Sequence, residues 1–320
     1  MDEPTKLSRV LVALGGNAMI GRDGDASVVA QQAAVTRAVV GVAELVAAGH
    51  EVVLTHGNGP QVGNLLVKNE LAAHAVPPVP LDWCVAQTQA TIGFTIQNAL
   101  EDALRQVGTV RPTVTVVTRT VVDAGDPGFA TPTKPIGRHL PREQAQRLID
   151  LGQTWEDRGP KGWRRIVASP RPLAVLEAGT VATLLKAGYV VVAAGGGGIP
   201  VVADGAGWHG VEAVIDKDLT AAILGRQLAA DVLVIATDVD HVMLRFGHPD
   251  EEAITVTTPG RLRTLAAEFA SGSMGPKVEA AVQFVDAGGT RAVISSLDHI
   301  VDAAAGTFGT VVTAATASQA

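Results

Sequence analysis

Two lysines stand where a helix normally disfavours a positive charge. Lys277 follows Gly275 and Pro276 in the first turn of a predicted helix, and Lys217 begins another. A cation near the N-terminus of a helix opposes the helix dipole, so both positions are locally unfavourable. A bound phosphate reverses the sign, because the free N–H groups and the ammonium then face the same anion. The pair therefore indicates phosphate binding, although a solvated surface position explains either lysine alone.

Two aspartates and a third lysine extend this pattern. Asp216 and Asp218 flank Lys217, where a carboxylate could hold the ammonium in place or cap the helix, and the sequence leaves both roles open. Lys134 lies between prolines in the run Pro-Thr-Lys-Pro, which restricts the backbone on either side of it. Rigidity of this kind favours a directed side chain over a freely solvated one.

Three glycine-rich clusters each follow a predicted strand. In an open parallel sheet, ligands gather beyond the carboxyl ends of the strands, and glycines let backbone N–H groups approach an anion closely. Tight strand-to-helix turns are the better explanation of a single cluster, but three together favour anion binding. The clusters are Gly15, Gly16 and Asn17; Gly57, Asn58 and Gly59; and Gly195 to Gly198.

These loops match none of the common nucleotide-binding patterns. The sequence has no G-x-x-x-x-G-K-[ST] loop, and the loop that begins at Gly57 reads G-x-G-x-x-x-G, which is too long for the dinucleotide pattern. The glycine loop, H-R-D and D-F-G set of the protein kinases is absent as well. Phosphate transfer by this chain would need another architecture.

Composition excludes several other classes of protein. Of 320 residues, 47% are hydrophobic and 18% are charged, which excludes a disordered chain. The net charge is −7 and no basic run is longer than Arg164 and Arg165, so a nucleic-acid partner is not expected. The single cysteine, Cys84, cannot form an internal disulfide, and no CxxC or HExxH motif offers a structural zinc site.

Neither the N-terminus nor the apolar stretches predict a membrane protein. The chain begins Met-Asp-Glu-Pro and lacks the basic start and longer apolar core of a signal peptide. The longest apolar stretch, Tyr189 to Ala203, is too short to span a bilayer and contains four consecutive glycines and Pro200. A cytoplasmic protein without membrane contact is therefore expected.

Short β-branched runs alternate with helical periods along most of the chain. The first unit has a strand at Arg9 to Leu14, a helix with apolar residues spaced from Val35 to Val46, and a strand at Glu51 to Thr55. This alternation predicts an α/β fold with a parallel sheet. The pattern breaks over residues 123–165, which hold five prolines. A loop of that length needs structure of its own, so a small protruding subdomain acting as a lid is predicted.

Seven motifs, spread in order over nearly the whole chain, resemble those of the carbamate kinases of the amino acid kinase superfamily. GGN and AGGGG are shared by several acylphosphate-forming kinases, whereas PTKPIG inside an insertion and VIDKDL together with GSMGPK are more specific. The motifs are ALGGNA (13–18), THGNGPQVG (55–63), PTKPIG (132–137), AGGGGIPV (194–201), GVEAVIDKDL (210–219), TDVD (237–240) and GSMGPKVEA (272–280).

The resemblance implies a three-layer αβα sandwich with a mainly parallel central sheet, a small protruding subdomain and a homodimer. It implies the reversible reaction ATP + carbamate = ADP + carbamoyl phosphate, with Mg²⁺ arriving with ATP or ADP rather than at a metal site of the protein, and a place in arginine metabolism. A single domain over residues 1–320 is expected, with residues 123–165 as the lid. Residues 1–122 would form the carbamate side and residues 166–320 the nucleotide side.

The resemblance also assigns roles to individual residues. Lys134, Lys217 and Lys277 would contact the phosphates, and Asp218 would position them. Either Asp216 or Asp218 could instead hold Mg²⁺ through water, and the sequence does not separate these roles. The substrate-binding residues would be Gly15, Gly16, Asn17, Gly57, Asn58 and Gly59. The nucleotide-binding residues would be Gly195, Gly196, Gly197, Asp216, Thr237, Asp238, Val239, Met274 and Gly275. Met243 departs from the family pattern, which has a tyrosine shortly after TDVD, and this difference concerns packing of the nucleotide pocket rather than the chemistry.

Two other functions fit parts of the pattern. Another acylphosphate-forming kinase, acting for example on N-acetylglutamate or aspartate, would need an arginine for the extra carboxylate, and the Gly15 and Gly57 loops contain none. A catalytically silent nucleotide-binding regulator could keep the same fold, but all three lysines are present. Carbamate is itself an oxyanion nucleophile, so the carbamate reaction needs charge stabilisation rather than a general base.

Overall fold

A mainly parallel sheet of eight strands, with helices on both faces, forms the body of the protein. The structure is a computed structural model and describes residues 8–16, 27–269 and 274–315. The predicted site residue Asn17 lies outside the described residues. The observed architecture confirms the predicted α/β sandwich.

The strands are short and the helices are mostly of three turns or fewer. The strands are β1 Arg9–Leu14, β2 Glu51–His56, β3 Thr113–Thr115, β4 Arg119–Val122, β5 Lys134–Leu140, β6 Trp155–Asp157, β7 Trp163–Val167, β8 Pro172–Val175, β9 Val190–Val192, β10 Ile199–Ala203, β11 Trp208–Gly210, β12 Val232–Thr237, β13 Val242–Leu244, β14 Glu252–Ile254, β15 Val256–Thr257, β16 Arg291–Ser296 and β17 Thr310–Thr313. The α-helices are α1 Val28–Ala38, α2 Val40–Ala47, α3 Gly59–Ala72, α4 Leu81–Gln106, α5 Pro127–Ala130, α6 Arg142–Ile149, α7 Ala178–Lys186, α8 Lys217–Gln227, α9 Pro259–Thr264, α10 Met274–Asp286 and α11 Ile300–Ala305.

The order of the strands brings the predicted loops to one edge of the sheet. The order is β15-β17-β16-β12-β1-β2-β9-β3, and only the β16–β17 pair is antiparallel. The parallel strands β12, β1, β2 and β9 are therefore neighbours, and their carboxyl ends lie side by side. Loops that are far apart in sequence meet there, as is usual for ligand sites in open α/β sheets.

Alternate side chains of the central strands fill two separate cores. On β1, Leu11 packs into the layer that contains α7, α8 and α10, whereas Val10 and Val12 pack into the layer that contains α1, α2, α4 and α11. Both faces of the sheet are buried, which explains why these strands read as nearly continuous apolar runs. The two cores make the sheet a rigid support for the loops at its edge.

Two smaller sheets flank the loops. One has the order β11-β10-β4-β8, and the other is the antiparallel sheet β5-β7-β6 within the segment that breaks the α/β pattern. A third apolar cluster joins that segment to the body, because Ile136 of β5 and Val167 of β7 pack with Val62, Leu66 and Cys84 of α3 and α4.

The helix predicted around Val35 to Val46 is two helices, α1 and α2. Val39 lies between them with φ −91° and ψ −5°, and Ser27 caps the start of α1 by accepting a hydrogen bond from the N–H of Ala30. By length and composition the segment Val28–Ala47 would be apolar enough to cross a membrane. Its inner side chains Val35, Val39 and Val42 are buried in the core.

Candidate functional site

The three predicted lysines converge at the N-terminus of α8. Lys217 Nζ lies 2.5 Å from Asp218 Oδ1, and Lys277 Nζ lies 3.1 Å from Asp218 Oδ2. Lys134 Nζ, from β5, lies 2.7 Å from Asp216 Oδ2. Three ammonium groups from distant segments are thus held together by two carboxylates.

The two aspartates have different tasks. Asp216 Oδ1 accepts hydrogen bonds from the backbone N–H groups of Asp218 and Leu219, so Asp216 is the N-cap of α8. Asp218 lies in the first turn and uses both oxygens on ammonium groups. The choice that the sequence left open is settled: Asp216 caps the helix and holds Lys134, whereas Asp218 holds the other two lysines.

Burial makes the charges of this cluster strongly interdependent. Asp218 is 3% exposed. Burial opposes its ionisation, but the charges and hydrogen bonds of Lys217 and Lys277 prevail and lower the pKa of Asp218 to about 2. Burial also lowers the pKa of Lys217, which Asp218 opposes and Lys277 reinforces. The arrangement leaves net positive charge, since Asp218 offers one negative charge to two ammonium groups.

A cavity of about 200 Å³ opens onto these groups. It is walled by glycine loops on one side, by the start of α8 on another, and by the start of β5 on a third. Its lining residues are Gly57, Asn58, Gly59, Val62, Lys134, Pro135, Ile136, Gly196, Val214, Ile215, Asp216, Lys217, Asp218 and Lys277. A small, positively charged cavity with backbone amides in its wall is suited to a phosphoryl group and a small anion.

The loop after β9 is braced by buried threonines that sequence reasoning missed. Thr55 Oγ1 donates to the carbonyl of Ala194 at 2.8 Å. Thr120 Oγ1 and Thr220 Oγ1 both donate to the carbonyl of Gly197, at 2.8 and 3.0 Å. These bonds pair the carbonyl oxygens of Ala194 and Gly197 with hydroxyl donors and fix the backbone of this loop.

Glycine is required where this loop meets the loop after β2. Gly196 has φ 66°, and a Cβ added there would lie 2.0 Å from Asn58 Nδ2. Asn58 in turn donates to Thr88 Oγ1 of α4 at 2.9 Å. A Cβ on Gly57 would lie 2.8 Å from the Cα of Gly16. The three glycine clusters therefore touch one another, which a larger residue would prevent.

Most of the residues predicted on the nucleotide side lie outside the described lining of this cavity, which includes only Asp216 and Gly196 of that set. Thr237 ends β12, and its hydroxyl donates to the carboxylate of Asp238 at 3.0 Å, with Val239 following. Met274 and Gly275 are the first residues of α10, three and two positions before Lys277. Of the glycines predicted on the nucleotide side, only Gly196 lines the cavity, although Gly195 and Gly197 are buried beside it.

Met243 lies in β13, where its backbone pairs with Ala253 of β14. It is half-buried and is not among the described residues that line the 200 Å³ cavity. Its position leaves the lysine cluster unaffected by the departure from the family pattern.

His56 is a buried group of the site that sequence reasoning did not single out. It ends β2 and is 1% exposed. Its Nδ1 lies 3.0 Å from the carbonyl oxygen of Gly57, so Nδ1–H is the donor, and its ring lies against Gly195, where an added Cβ would be 2.3 Å from Nε2. Burial lowers the pKa of His56 to about 4. The hydrogen bond to Gly57 raises this pKa, and the positive charge of Lys217 lowers it further. A neutral imidazole thus joins two glycine loops.

We expect the stability of the protein to fall as the pH is lowered from about 6.5 to about 4, in part because of His56. The unfolded chain takes up the proton near its ordinary pKa, whereas the folded one resists it, so acid favours unfolding by up to about 3 kcal/mol. Urea unfolding at a series of pH values would measure this. His56→Gln should flatten the pH dependence, and His248→Gln, at an exposed position, should not. Equal slopes in wild type and His56→Gln would contradict the assignment.

Comparisons with known proteins agree with this geometry. Residues 8–296 match the profile of the amino acid kinase family. Carbamate kinase 1 of Enterococcus faecium is 43% identical over 91% of this chain and 94% of its own length, and the carbamate kinase of Thermococcus kodakarensis is 42% identical over 96% and 99%. The structure of a carbamate kinase from Giardia lamblia bound to AMP-PNP superposes with a TM-score of 0.90 at 37% identity, covering 97% of this chain and 99% of that one.

Proposed function

Because this chain belongs to the amino acid kinase family, and within it to the carbamate kinases, we propose that the cavity between the three lysines is the place where a phosphoryl group passes between ATP and carbamate. The observation that carries this proposal is the convergence of Lys134, Lys217 and Lys277 on one small cavity walled by glycine loops. Such a cavity opposes the repulsion between an anionic nucleophile and an anionic phosphate.

The transfer needs no proton movement. A carboxylate oxygen of carbamate attacks the γ-phosphorus of ATP, and its lone pair becomes the new O–P bond. The bond from the γ-phosphorus to the bridging oxygen breaks, and its electron pair stays on ADP. Total charge is conserved, and negative charge spreads over the equatorial oxygens in the transition state. Stabilisation by preorganised charges is then the main task of the protein.

Each wall of the cavity has a proposed task. Lys217 and Lys277 neutralise the transferring phosphoryl group, with Asp218 keeping both in place. Gly15, Gly16 and the loop of Gly57 to Gly59 serve the carbamate side, with Asn17 added on family resemblance. Gly195 to Gly197, Asp216, Thr237, Asp238, Val239, Met274 and Gly275 serve the nucleotide. Residues 1–122 then supply the carbamate side, residues 166–320 the nucleotide side, and residues 123–165 the lid.

The residues present fit a magnesium ion that arrives with the nucleotide. All four carboxylate oxygens of Asp216 and Asp218 already accept hydrogen bonds, from backbone amides or ammonium groups. Across the described residues there is no group of three or more His, Cys, Asp and Glu side chains that could hold a metal. When bound through phosphate oxygens and water, Mg²⁺ would supply neutralisation of the β- and γ-phosphates.

Lys134→Ala is expected to slow turnover by about 10²-fold while ADP binding stays nearly unchanged. Lys134 comes from the lid and meets the cavity beside the transferring group, so its charge matters most in the transition state. Steady-state kinetics and ADP titration calorimetry would measure the two effects. Lys161→Ala, at an exposed position in the same segment, is the control. Unchanged turnover together with weaker ADP binding would contradict this role.

The function itself is tested by ATP synthesis from ADP, Mg²⁺ and carbamoyl phosphate. Acetyl phosphate and N-acetylglutamyl phosphate serve as comparison donors in the same assay. A clear preference for carbamoyl phosphate is expected, because the cavity is small and its described lining contains no arginine for a second carboxylate. Preference for another acyl phosphate, or no ATP from any donor, would refute the proposal.

A cytoplasmic homodimer working in arginine metabolism completes the proposal. The long helix α4 carries exposed apolar side chains, among them Trp83 at 60% and Phe94 at 54%, and β3 is an edge strand of the central sheet. These features offer a second copy a surface to cover. Light scattering on the purified protein would give the mass of the particle.

A further inference from the structure

Two glycines from different motifs are in direct contact. Gly63 lies in α3, at the end of the THGNGPQVG motif, and Gly137 lies in β5, at the end of PTKPIG. A Cβ added to Gly63 would lie only 2.6 Å from the Cα of Gly137 and 3.0 Å from its nitrogen. The backbones of the helix and the strand therefore touch, and there is no room between them for a side chain on Gly63.

The two glycines are required for different physical reasons. Gly63 has ordinary helical geometry and needs empty space. Gly137 has φ 68°, and a Cβ there would meet the Cα of Gly63 at an unstrained 3.8 Å. Gly137 thus needs the left-handed backbone conformation, which asparagine also tolerates. This difference separates the effect of crowding from the effect of backbone strain.

This contact lies in β5, the strand of the lid that begins with Lys134, three residues after that lysine. Ile136 precedes Gly137, is 4% exposed, and packs in one apolar cluster with Val62 and Leu66 of α3. Because side chains alternate along a strand, Lys134 and Ile136 point to the same face of β5, and both line the cavity. The α3 helix, in turn, starts at Gly59 in the loop of the carbamate side.

We propose that the contact between Gly63 and Gly137 is the docking point that places Lys134 in the cavity. The inference rests on the proposed phosphoryl transfer. By letting β5 lie directly on α3, the two glycines fix the lid lysine relative to the loop of Gly57 to Gly59. Both are positioning residues, because they act on the reaction through Lys134. A shift of β5 by about 1 Å would move the ammonium out of productive geometry, and misplacements of that size can cost up to about 10²-fold in rate.

The first experiment measures kcat and the Kd for ADP in three single variants. Gly63→Ala is expected to lower kcat by about 10- to 100-fold and to leave the Kd for ADP within about twofold, because β5 moves and the nucleotide side does not. Gly137→Asn should stay within about threefold of wild type in kcat, since asparagine accepts its backbone conformation. Gly179→Ala is the matched control, because Gly179 is exposed in α7 with open space around it.

A double-mutant cycle then decides whether Gly63 acts through Lys134. In the Lys134→Ala background, Gly63→Ala should change kcat by less than about twofold, because the side chain that it misplaces is already gone. An equal loss in both backgrounds, or no loss in wild type, would overturn the proposal. An inactive wild-type protein would instead refute the proposed function, so the two failures are distinguishable.

Thermal unfolding shows whether Gly63→Ala remains folded at the assay temperature. If it does not, Gly137→Ala takes its place in the cycle, since alanine at φ 68° pushes β5 away by strain rather than by overlap. Gly137→Ala is then expected to lower kcat several-fold in wild type and not in Lys134→Ala, with Gly137→Asn restoring the rate. A Gly137→Ala enzyme with the wild-type rate would overturn the proposal.

Discussion

Lys217→Ala is expected to lower kcat by about 10²- to 10³-fold, the scale for removing one preorganised charge stabiliser. Lys217 is the first residue of α8, has a side chain that is 11% exposed, and lines the cavity beside Lys277. Because little water reaches this ammonium group, solvent screens its charge only weakly. Its attraction for an anionic substrate is therefore strong. The effect should appear in kcat more than in KM, since charge accumulates on the equatorial oxygens only during transfer.

The variant should remain folded, because Asp218 keeps Lys277 as a partner. Lys186→Ala, at the exposed end of α7, is the matched control and should turn over at the wild-type rate. Circular dichroism and thermal unfolding would establish that both variants are folded. A folded Lys217→Ala enzyme with the wild-type kcat would remove Lys217 from the site.

The meeting of the lysines could be predicted because each had a local signal. Lys217 and Lys277 begin helices against the dipole, and Lys134 lies between prolines. The parallel sheet then supplies the geometry, since loops after neighbouring strands must share one edge. The unusual local positions of the lysines and the topology of a parallel sheet were together sufficient to predict that these side chains meet, although they lie up to 143 positions apart in the chain.

The threonine brace could not be predicted in the same way. Thr55, Thr120 and Thr220 donate to carbonyls of the Ala194 to Gly197 loop. Thr55 and Thr120 lie in strands, where β-propensity alone favours threonine, and Thr220 lies in α8, where nothing local marks its partner. The burial of His56 could not be predicted either, because no local pattern distinguishes a buried histidine from an exposed one at the end of a strand. These residues acquire their roles only from long-range packing.

Contacts between two backbones are a second feature that the sequence could not predict. The sequence around Gly63 is typical of a helix and that around Gly137 of a turn. Neither motif indicates that the two residues are in contact. The short strand β4 was missed too, since it lies between apolar runs and the proline-rich segment and pairs with β8 and β10 from later in the chain. Pairing partners of that kind are fixed by topology rather than by local pattern.

Asp218→Asn should be the most damaging of the conservative changes. The amide keeps the shape of the side chain but removes the negative charge that is paired with both Lys217 and Lys277. Breaking a buried ion pair by removing one partner costs about 3–5 kcal/mol, which a domain of ordinary stability survives. The protein should therefore fold with a lower thermal midpoint and a kcat reduced by at least about 10²-fold.

The pH dependence separates this role from general damage. Burial already lowers the pKa of Lys217 and Asp218 opposes that shift, so removing the carboxylate must lower the pKa further. Since a lysine loses its charge above its pKa, the basic limb of the pH profile of kcat should move to lower pH in Asp218→Asn. Asp216→Asn is the matched control: asparagine still caps α8, and Asp218 still faces Lys217, so its basic limb should move less. Coinciding basic limbs in wild type and Asp218→Asn would mean that another group keeps Lys217 charged.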